Sequence, residues 1–266
     1  MRMESEVTII IPTYNAGGFL KEAILTVFRQ TYEHWKLIVV DDASTDESIA
    51  LAKPYLADPR VTYMCNERNV GQSKTMNVGL AAVTTPYVIQ LDADDWFFPY
   101  TLEVLLAEAC KQPEYVGLIS GNINSISINP SGGLFFNIVT KNRSFRDKYD
   151  FLLSNMSQWP RFYRTSTLKA IGGWPTDDPY EGRYMEDKRV LMRLIEVSHF
   201  HWIDVPLYIH RRHHHNQTNL VDIYREITEW NIRDALKRWG DEFEPVFLRH
   251  NGWIKIVDLQ HKSLSN

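Results

Sequence analysis

The chain has 266 residues, 44% hydrophobic and 12% aromatic, with 29 basic and 33 acidic side chains and a formal net charge of −4. That content buries a substantial core, as one large domain or one domain with an appendage, and the charge leaves no electrostatic footprint for nucleic acid. Cys65 and Cys110 stand at no metal-ligand spacing, and the apolar run Val7 to Ile11 is too short for a signal peptide or a membrane span, so the cytoplasm is the expected compartment.

In chain order, VTIIIPTYN predicts a first strand broken at Pro12 and passing into a polar loop with Tyr14 and Asn15. Gly17 to Gln30 sets Leu20, Ile24, Val27 and Phe28 on one face, the spacing of an amphipathic helix. Lys36 to Val40 is a continuous apolar run of the kind buried on both faces of a parallel sheet. It ends in Asp41 and Asp42, and Ser44-Thr45-Asp46-Glu47 reads as a capping box opening the next helix. With Ser44 as the cap, at least one of the two acids is spare. Val61 to Cys65 predicts a third strand running out into Asn66, Arg68, Asn69 and Gly71; Ser73 to Ala82 predicts a helix, and Val88 to Leu91 a fourth strand.

Connections of this length demand right-handed crossovers and a parallel sheet. In open α/β sheets ligands sit outside the carboxyl ends of the strands, and four loops deliver Tyr14, Asp42, Arg68 and an acidic cluster to that edge. Neither GxGxxG nor GxxxxGK[ST] occurs, which argues against a common dinucleotide fold and a P-loop. The cluster is VIQLDADDWFFPY, where Asp92, Asp94 and Asp95 follow an apolar strand directly. Like charges this close repel unless a cation or hydrogen-bond donors hold them. An Asp-x-Asp spacing suits a hard divalent cation bridging to a diphosphate, although an isolated one is more often a capped turn; here the other polar loops at the same edge favour the cation.

The second half is less regular. Thr101 to Lys111 predicts a helix with Leu102, Leu105, Leu106 and Ala109 inward; Val116 to Ile119 and Ser125 to Ile128 predict strands, and Gly132-Gly133 a turn into Leu134 to Val139. A helix around Phe145 to Asn155 leads to a short strand, Phe162 to Arg164, then a helical turn capped by Thr165 or Ser166 and ended by Gly172-Gly173. Trp159 and Trp174 are either packing aromatics or platforms for a sugar face. Glu181 to Ser198 carries a helical face of Val190, Leu191, Leu194 and Ile195 with Glu186-Asp187 near its start, where acids are ordinary dipole partners. Trp202 to His210 predicts a further strand. It runs into RRHHHNQT, whose three consecutive histidines alternate in direction and cannot all ligate one ion. From Leu220 the pattern Ile223, Ile227, Trp230 and Leu236, with Trp239 and Trp253 beyond, predicts a helix packing on the domain; Asp222, Glu226, Glu229 and Asp234 argue against a membrane face.

The order IPTYN, VVDDASTD, Asn69-x-Gly71 and LDADDxxxP resembles the nucleotide-binding half of the family 2 glycosyltransferases over about the first 115 residues. The resemblance implies a GT-A fold, an α/β architecture with a Rossmann-like, mainly parallel sheet flanked by helices and a more irregular C-terminal acceptor half. It implies inverting transfer from a nucleoside diphosphate sugar to an acceptor hydroxyl on a saccharide, a lipid-linked saccharide or another small molecule. By the same likeness Pro12, Thr13 and Tyr14 line the nucleoside pocket, Asp42 accepts from the base, and Arg68 lies near base or phosphates. Asp92 contacts the ribose, and Asp94, with Asp95 sharing, holds Mn²⁺ or Mg²⁺. Asp187, paired with Glu186, matches the family's catalytic base, and Gly172, Gly173 and Trp174 resemble a GGF-like turn. Arg211, His213, Asn216 and Thr218 fit an Arg-x-His-x-x-Asn-x-Thr pattern, with His213 as metal ligand or diphosphate contact, Arg211 or Arg212 as phosphate partner, and His214 and His215 solvated. His210 stands where Tyr is more usual.

The expected organisation is a nucleotide-sugar half over 1–115, an acceptor and catalytic half over 116–219, and a helical extension over 220–266, with at most peripheral membrane contact. An acceptor such as Asp42 pairs with an imide N–H, which favours UDP or dTDP. Two other readings stay open. A nucleotidyltransferase expects a basic, Gly-rich first loop, whereas PTYNAGG has no Lys or Arg before Lys21; a silent sugar-nucleotide-binding module would have lost the Glu186-Asp187 pair.

Overall fold

The four apolar runs of the N-terminal half form parallel strands in the order β3-β2-β1-β4: β1 (Val7–Thr13), β2 (Trp35–Asp41), β3 (Val61–Cys65) and β4 (Tyr87–Gln90). The structure is a computed structural model that describes residues 5–128, 134–213, 216 and 220–262. Helices α1 (Gly18–Phe28), α2 (Ser48–Leu56) and α3 (Gln72–Ala82) make the crossovers. Every residue of β1 is buried, and alternate side chains enter two different cores. Ile9 and Ile11 pack with Leu20, Ile24 and Val27 of α1, while Ile10 packs with Met76 and Leu80 of α3. On α3, a Cβ at Gly79 would lie 2.8 Å from Ile10, so only glycine lets the helix sit this close to the sheet.

The same sheet continues through the second half as β4-β8-β6-β9-β5. Its elements are β5 (Trp96–Phe97), α4 (Thr101–Ala109), β6 (Val116–Ile128), β7 (Leu134–Thr140), α5 (Lys148–Ser154), β8 (Trp159–Arg164), α6 (Thr165–Ala170), α7 (Glu186–Leu194) and β9 (His199–Arg212). Strand β8 runs antiparallel to both β4 and β6, with Gln90 opposite Arg161. That register brings a residue of the second half beside the acidic end of β4.

Three expectations change. Val116 to Ile128 is one strand, not two, because it pairs along its length with β9. Ser44 does not cap α2: its hydroxyl accepts from Asn15 N at 3.0 Å, and the helix starts at Ser48, whose backbone N–H donates to Asp46 at 3.0 Å. The extension is not helical throughout. Helix α8 (Val221–Arg238) is followed by a hairpin of β10 (Phe243–His250) and β11 (Trp253–His261). The strands are joined by Asn251-Gly252 with φ of 49° and 82°, the left-handed pair of a type I′ turn. Ile232, Ala235 and Leu236 of α8 pack into the core that holds Val190, Leu191 and Leu194 of α7. The turn at Gly132-Gly133, and His214, His215 and Thr218, lie outside the described residues. Among the described residues no helix is long and apolar enough to cross a membrane.

Candidate active site

The carboxyl ends of β1 and β4 open into a cleft of about 1000 Å³, reached also by the start of α7, the end of β9 and the C-terminal extension. At its floor lies Arg161, only 1% exposed. Its two terminal nitrogens donate to Asp92 Oδ2 and to Asp187 Oδ2, each at 3.1 Å. Burial works against this guanidinium, but the Asp92 and Asp187 charges raise its pKa well above the ordinary value. Gln90 Nε2 donates to Asp92 Oδ1 at 2.8 Å and to Glu186 Oε1 at 3.4 Å, extending the network across β4.

The acidic pair divides into two roles. Met185 precedes α7 in the left-handed region, φ 52°, a conformation that costs a residue with a side chain and turns Glu186 and Asp187 into the cleft. Asp187 is ion-paired with Arg161. Burial pushes Glu186 up to about 8, helped by the Asp187 and Asp92 charges and opposed by Arg161, so Glu186 holds its proton at neutral pH. An unfolded chain releases that proton near the ordinary 4.5, so the folded state binds the extra proton from there up to about 8, and stability falls as pH rises through this window. Glu186→Gln cannot ionise and removes the fall. The melting temperature of the variant relative to the parent is expected to be near zero offset at pH 5 and increasingly positive towards pH 9; an offset independent of pH would show Glu186 already ionised at neutrality.

The other two acids of the cluster also part. Asp94 Oδ2 meets His213 Nε2 at 2.9 Å and accepts from Asn216 Nδ2 at 3.2 Å, while Phe19 stacks on the His213 ring at 4.8 Å. Burial opposes Asp94 ionisation, but the His213 hydrogen bond and charge hold its pKa below the usual range. Asp95 is 2% exposed and accepts from Tyr208 Oη at 2.9 Å and Arg211 N at 2.8 Å. Burial, then the Asp94 and Asp92 charges, lifts its pKa well above the ordinary value. Its oxygens thus anchor β9 to the end of β4, and Asp95 also lines the cleft beside Asp94. Among the described residues no group of three or more His, Cys, Asp or Glu side chains is placed to hold a metal. A hard divalent cation that takes its remaining ligands from water and a diphosphate needs only one or two protein donors. Asp94 and His213 fit that requirement.

Of the expected nucleotide contacts, Pro12 and Tyr14 line the cleft, Tyr14 half exposed at 50%. Thr13 is buried beside them, and its Oγ1 has no hydrogen-bond partner among the described residues. Asp42 does not line the cleft. It is buried and accepts from Asn66 Nδ2, Val70 N and Gly71 N, each at 2.8 Å, so it clasps the loop after β3 and most of its acceptor capacity is used. Arg68 is exposed and lies outside the cleft lining. Arg211 is a buried strut paired with Glu22 and sandwiched by Phe19 and Trp96 at 4.6 and 4.3 Å; Arg212 is the one of the pair that reaches the cleft. Trp159 lines the cleft, stacked on His210 at 6.2 Å with Arg161 over its ring. Trp174 is 1% exposed, its backbone N–H bonded to Asn77 and its ring edge-on to Tyr163. It is a core residue and no sugar platform.

Sequence reasoning missed Arg161, Asp46, Lys188, Tyr224 and Trp253, all of which line the cleft. A cation inside the apolar stretch WPRFY was the available signal for Arg161. Asp46 shows its role only in three dimensions, where it accepts from Gly17 N at 2.9 Å and holds the first loop.

A mainly parallel sheet flanked by helices, with an acidic cluster after its fourth strand, an acidic pair opening α7 and a histidine just past β9, is the arrangement of the GT-A fold of glycosyltransferases. The family model for glycosyl transferase family 2 matches residues 8–172, and the chain belongs to that family. Glycosyltransferase GlyA of Streptococcus pneumoniae serotype 4 is 30% identical over 193 residues, 71% of this chain and 26% of that protein. The putative colanic acid biosynthesis glycosyl transferase WcaA of Escherichia coli K12 is 35% identical over 108 residues, 40% of this chain and 39% of that protein. The chain thus spans about a quarter to two-fifths of the length of these curated relatives. The crystal structure of S. aureus TarS 1–349 in complex with UDP-GlcNAc has the same fold, with a TM-score of 0.68 at 20% identity over 88% of this chain and 66% of that one. So does the mannosyltransferase PcManGT from Pyrobaculum calidifontis in complex with GDP-Man and Mn²⁺, with a TM-score of 0.64 at 18% identity over 89% of this chain and 65% of that one.

Proposed function

We propose that the chain is a metal-dependent inverting glycosyltransferase that moves a sugar from a nucleoside diphosphate to an acceptor hydroxyl. The observation that carries this reading is the Arg161 bridge, which ties Asp92 on the donor side to Asp187 on the acceptor side within one cleft. The acceptor oxygen attacks the anomeric carbon, its proton passes to the Asp187 carboxylate, and the bond from that carbon to the diphosphate oxygen breaks with the electron pair leaving on the diphosphate. Glu186, holding its own proton, is the poorer base. Mn²⁺ or Mg²⁺ held by Asp94 and His213 would neutralise charge on the departing diphosphate, and the imidazole favours Mn²⁺ of the two. Pro12 and Tyr14 form the nucleoside wall with Thr13 buried beside them, Asp92 contacts the ribose, and Arg212, the member of the Arg211-Arg212 pair that lines the cleft, takes the phosphate contact. The family and the sugar nucleotides bound by the two structural relatives support a sugar nucleotide donor.

UDP-sugars are the first donors to test. With Asp42 engaged by its own loop, the reason to prefer uracil or thymine over guanine is weak, so dTDP- and GDP-sugars belong in the same screen. Incubation with these donors and Mn²⁺ is expected to release free nucleoside diphosphate. Asp94→Ala is expected to abolish the Mn²⁺-dependent rise in melting temperature given by UDP, with the ligand-free melting temperature close to the parent's. A variant that gains as much stability as the parent from Mn²⁺ and UDP would place the metal elsewhere.

A further inference from the structure

The family match ends at residue 172, yet the acceptor end of the cleft is completed by residues beyond it. Tyr224, on the first turn of α8, stands between Tyr184 at 6.4 Å and Trp253 at 6.5 Å. Tyr184 is braced in turn by Tyr180 at 5.4 Å, whose hydroxyl donates to Glu226 at 2.7 Å. Trp253 is the first residue after the Asn251-Gly252 turn, and it keeps 42% of its surface exposed although it lines the cleft. The turn is seated closely: a Cβ at Gly252 would stand 3.0 Å from Val221 at the start of α8. Hairpin tip and helix therefore present one aromatic wall held from both sides.

Polar groups meet this wall where it reaches the acids. The Tyr224 hydroxyl makes no hydrogen bond to another described residue. Burial raises its pKa, and the Glu186, Asp187 and Asp92 charges raise it further, which places the phenol within their field. Lys188 follows Asp187 directly, lines the cleft, and makes no hydrogen bond or ion pair within 4.0 Å to another described residue. Burial pushes its ammonium down to about 8, with the Asp187 charge pulling the other way. Half-buried and facing the cleft, this ammonium is free to donate to a ligand there.

We infer that α8 and the hairpin build the acceptor subsite, Trp253 and Tyr224 forming a platform for a pyranoside and the Tyr224 hydroxyl and Lys188 ammonium holding its hydroxyls beside Asp187. A pyranose ring offers C–H groups on its face and hydroxyls round its edge, so it matches aromatic faces rimmed by polar donors. An acyl chain would leave those donors unmet. The assignment rests on the glycosyltransferase reading and names its acceptor as a saccharide.

The test uses the full chain with UDP and Mn²⁺ and the methyl pyranosides of glucose, galactose, mannose, N-acetylglucosamine and N-acetylgalactosamine, observed by saturation-transfer NMR. At least one glycoside is expected to receive saturation at its ring protons. Trp253→Ala should weaken that binding about tenfold or more, as truncation of a central aromatic anchor does. Trp253→Phe, which keeps an aromatic face, should retain most of it, and both variants should keep the parent's stabilisation by UDP and Mn²⁺. Absence of saturation for every glycoside, or binding indifferent to Trp253→Ala and Tyr224→Ala, would overturn the subsite. Glycoside binding through Trp253 in a protein that UDP and Mn²⁺ fail to stabilise would uphold the subsite and count against the donor reading instead.

Discussion

Asp187→Asn is expected to lower turnover by on the order of a hundredfold or more, with donor affinity nearly that of the parent. The asparagine keeps the size of the side chain and an oxygen for Arg161, which donates to Asp187 at 3.1 Å, but it cannot take a proton. A group that acts only on the acceptor contributes in the transition state and little to holding the nucleotide. If Asp187 served only to pair with Arg161 and the first turn of α7, the outcome would reverse: stability would fall while turnover per folded molecule stayed unchanged. Nucleoside diphosphate release, UDP affinity and melting temperature on one preparation separate the two. Parent-like turnover would remove Asp187 from the chemistry. Glu186 is then a weak substitute, since burial leaves it protonated up to about 8.

The first half of the fold was legible because its signals are local. β1, β2 and β4 are apolar runs and α1 to α3 helical segments between strands, and the parallel sense of the sheet follows from crossover length. The acidic cluster stood out in the sequence because like charges directly after a buried strand need a cation or hydrogen-bond donors to hold them, and the structure brings all three to the cleft. What each acid does was not. Asp94 and Asp95 are neighbours with opposite environments, one meeting His213 in the cleft and the other sealed under Tyr208 and Arg211. That difference is set by β9, more than a hundred residues away in the chain. Asp42 is spare only if Ser44 caps α2; the loop after β3 uses it instead. Gly172-Gly173 and Trp174 matched a family turn, but burial against Tyr163 and Asn77 takes Trp174 away from the cleft. The Asn251-Gly252 hairpin, like Arg161 in WPRFY, is a miss that local chemistry announced, since an Asn-Gly pair between alternating segments is the strongest short-range hairpin signal.

Arg161 carries the largest expected stability effect. Arg161→Met removes a buried cation from between Asp92 and Asp187 and leaves both carboxylates, with Glu186 nearby, without their counter-charge. Breaking a buried pair from one side costs roughly 3–5 kcal/mol, and since Asp92 and Asp187 side chains are 26% and 18% exposed, water screening places the expected loss at the lower end of that range. The loss should depend on pH with a definite sign. Without the guanidinium the carboxylates favour protonation in the folded state, so the variant recovers stability as pH falls and is weakest above neutrality. Arg161→Lys restores the charge, but a single ammonium cannot reproduce two parallel donors aimed at separate carboxylates, so an intermediate loss is expected. Combining Arg161→Met with Asp92→Asn and Asp187→Asn removes the unpaired charges and should recover much of the stability while turnover stays lost. Urea unfolding of the three proteins and the parent at pH 5 and pH 8 provides the comparison. Equal stability of Arg161→Met and parent at pH 8 would mean the bridge contributes nothing to holding the donor and acceptor sides of the cleft together.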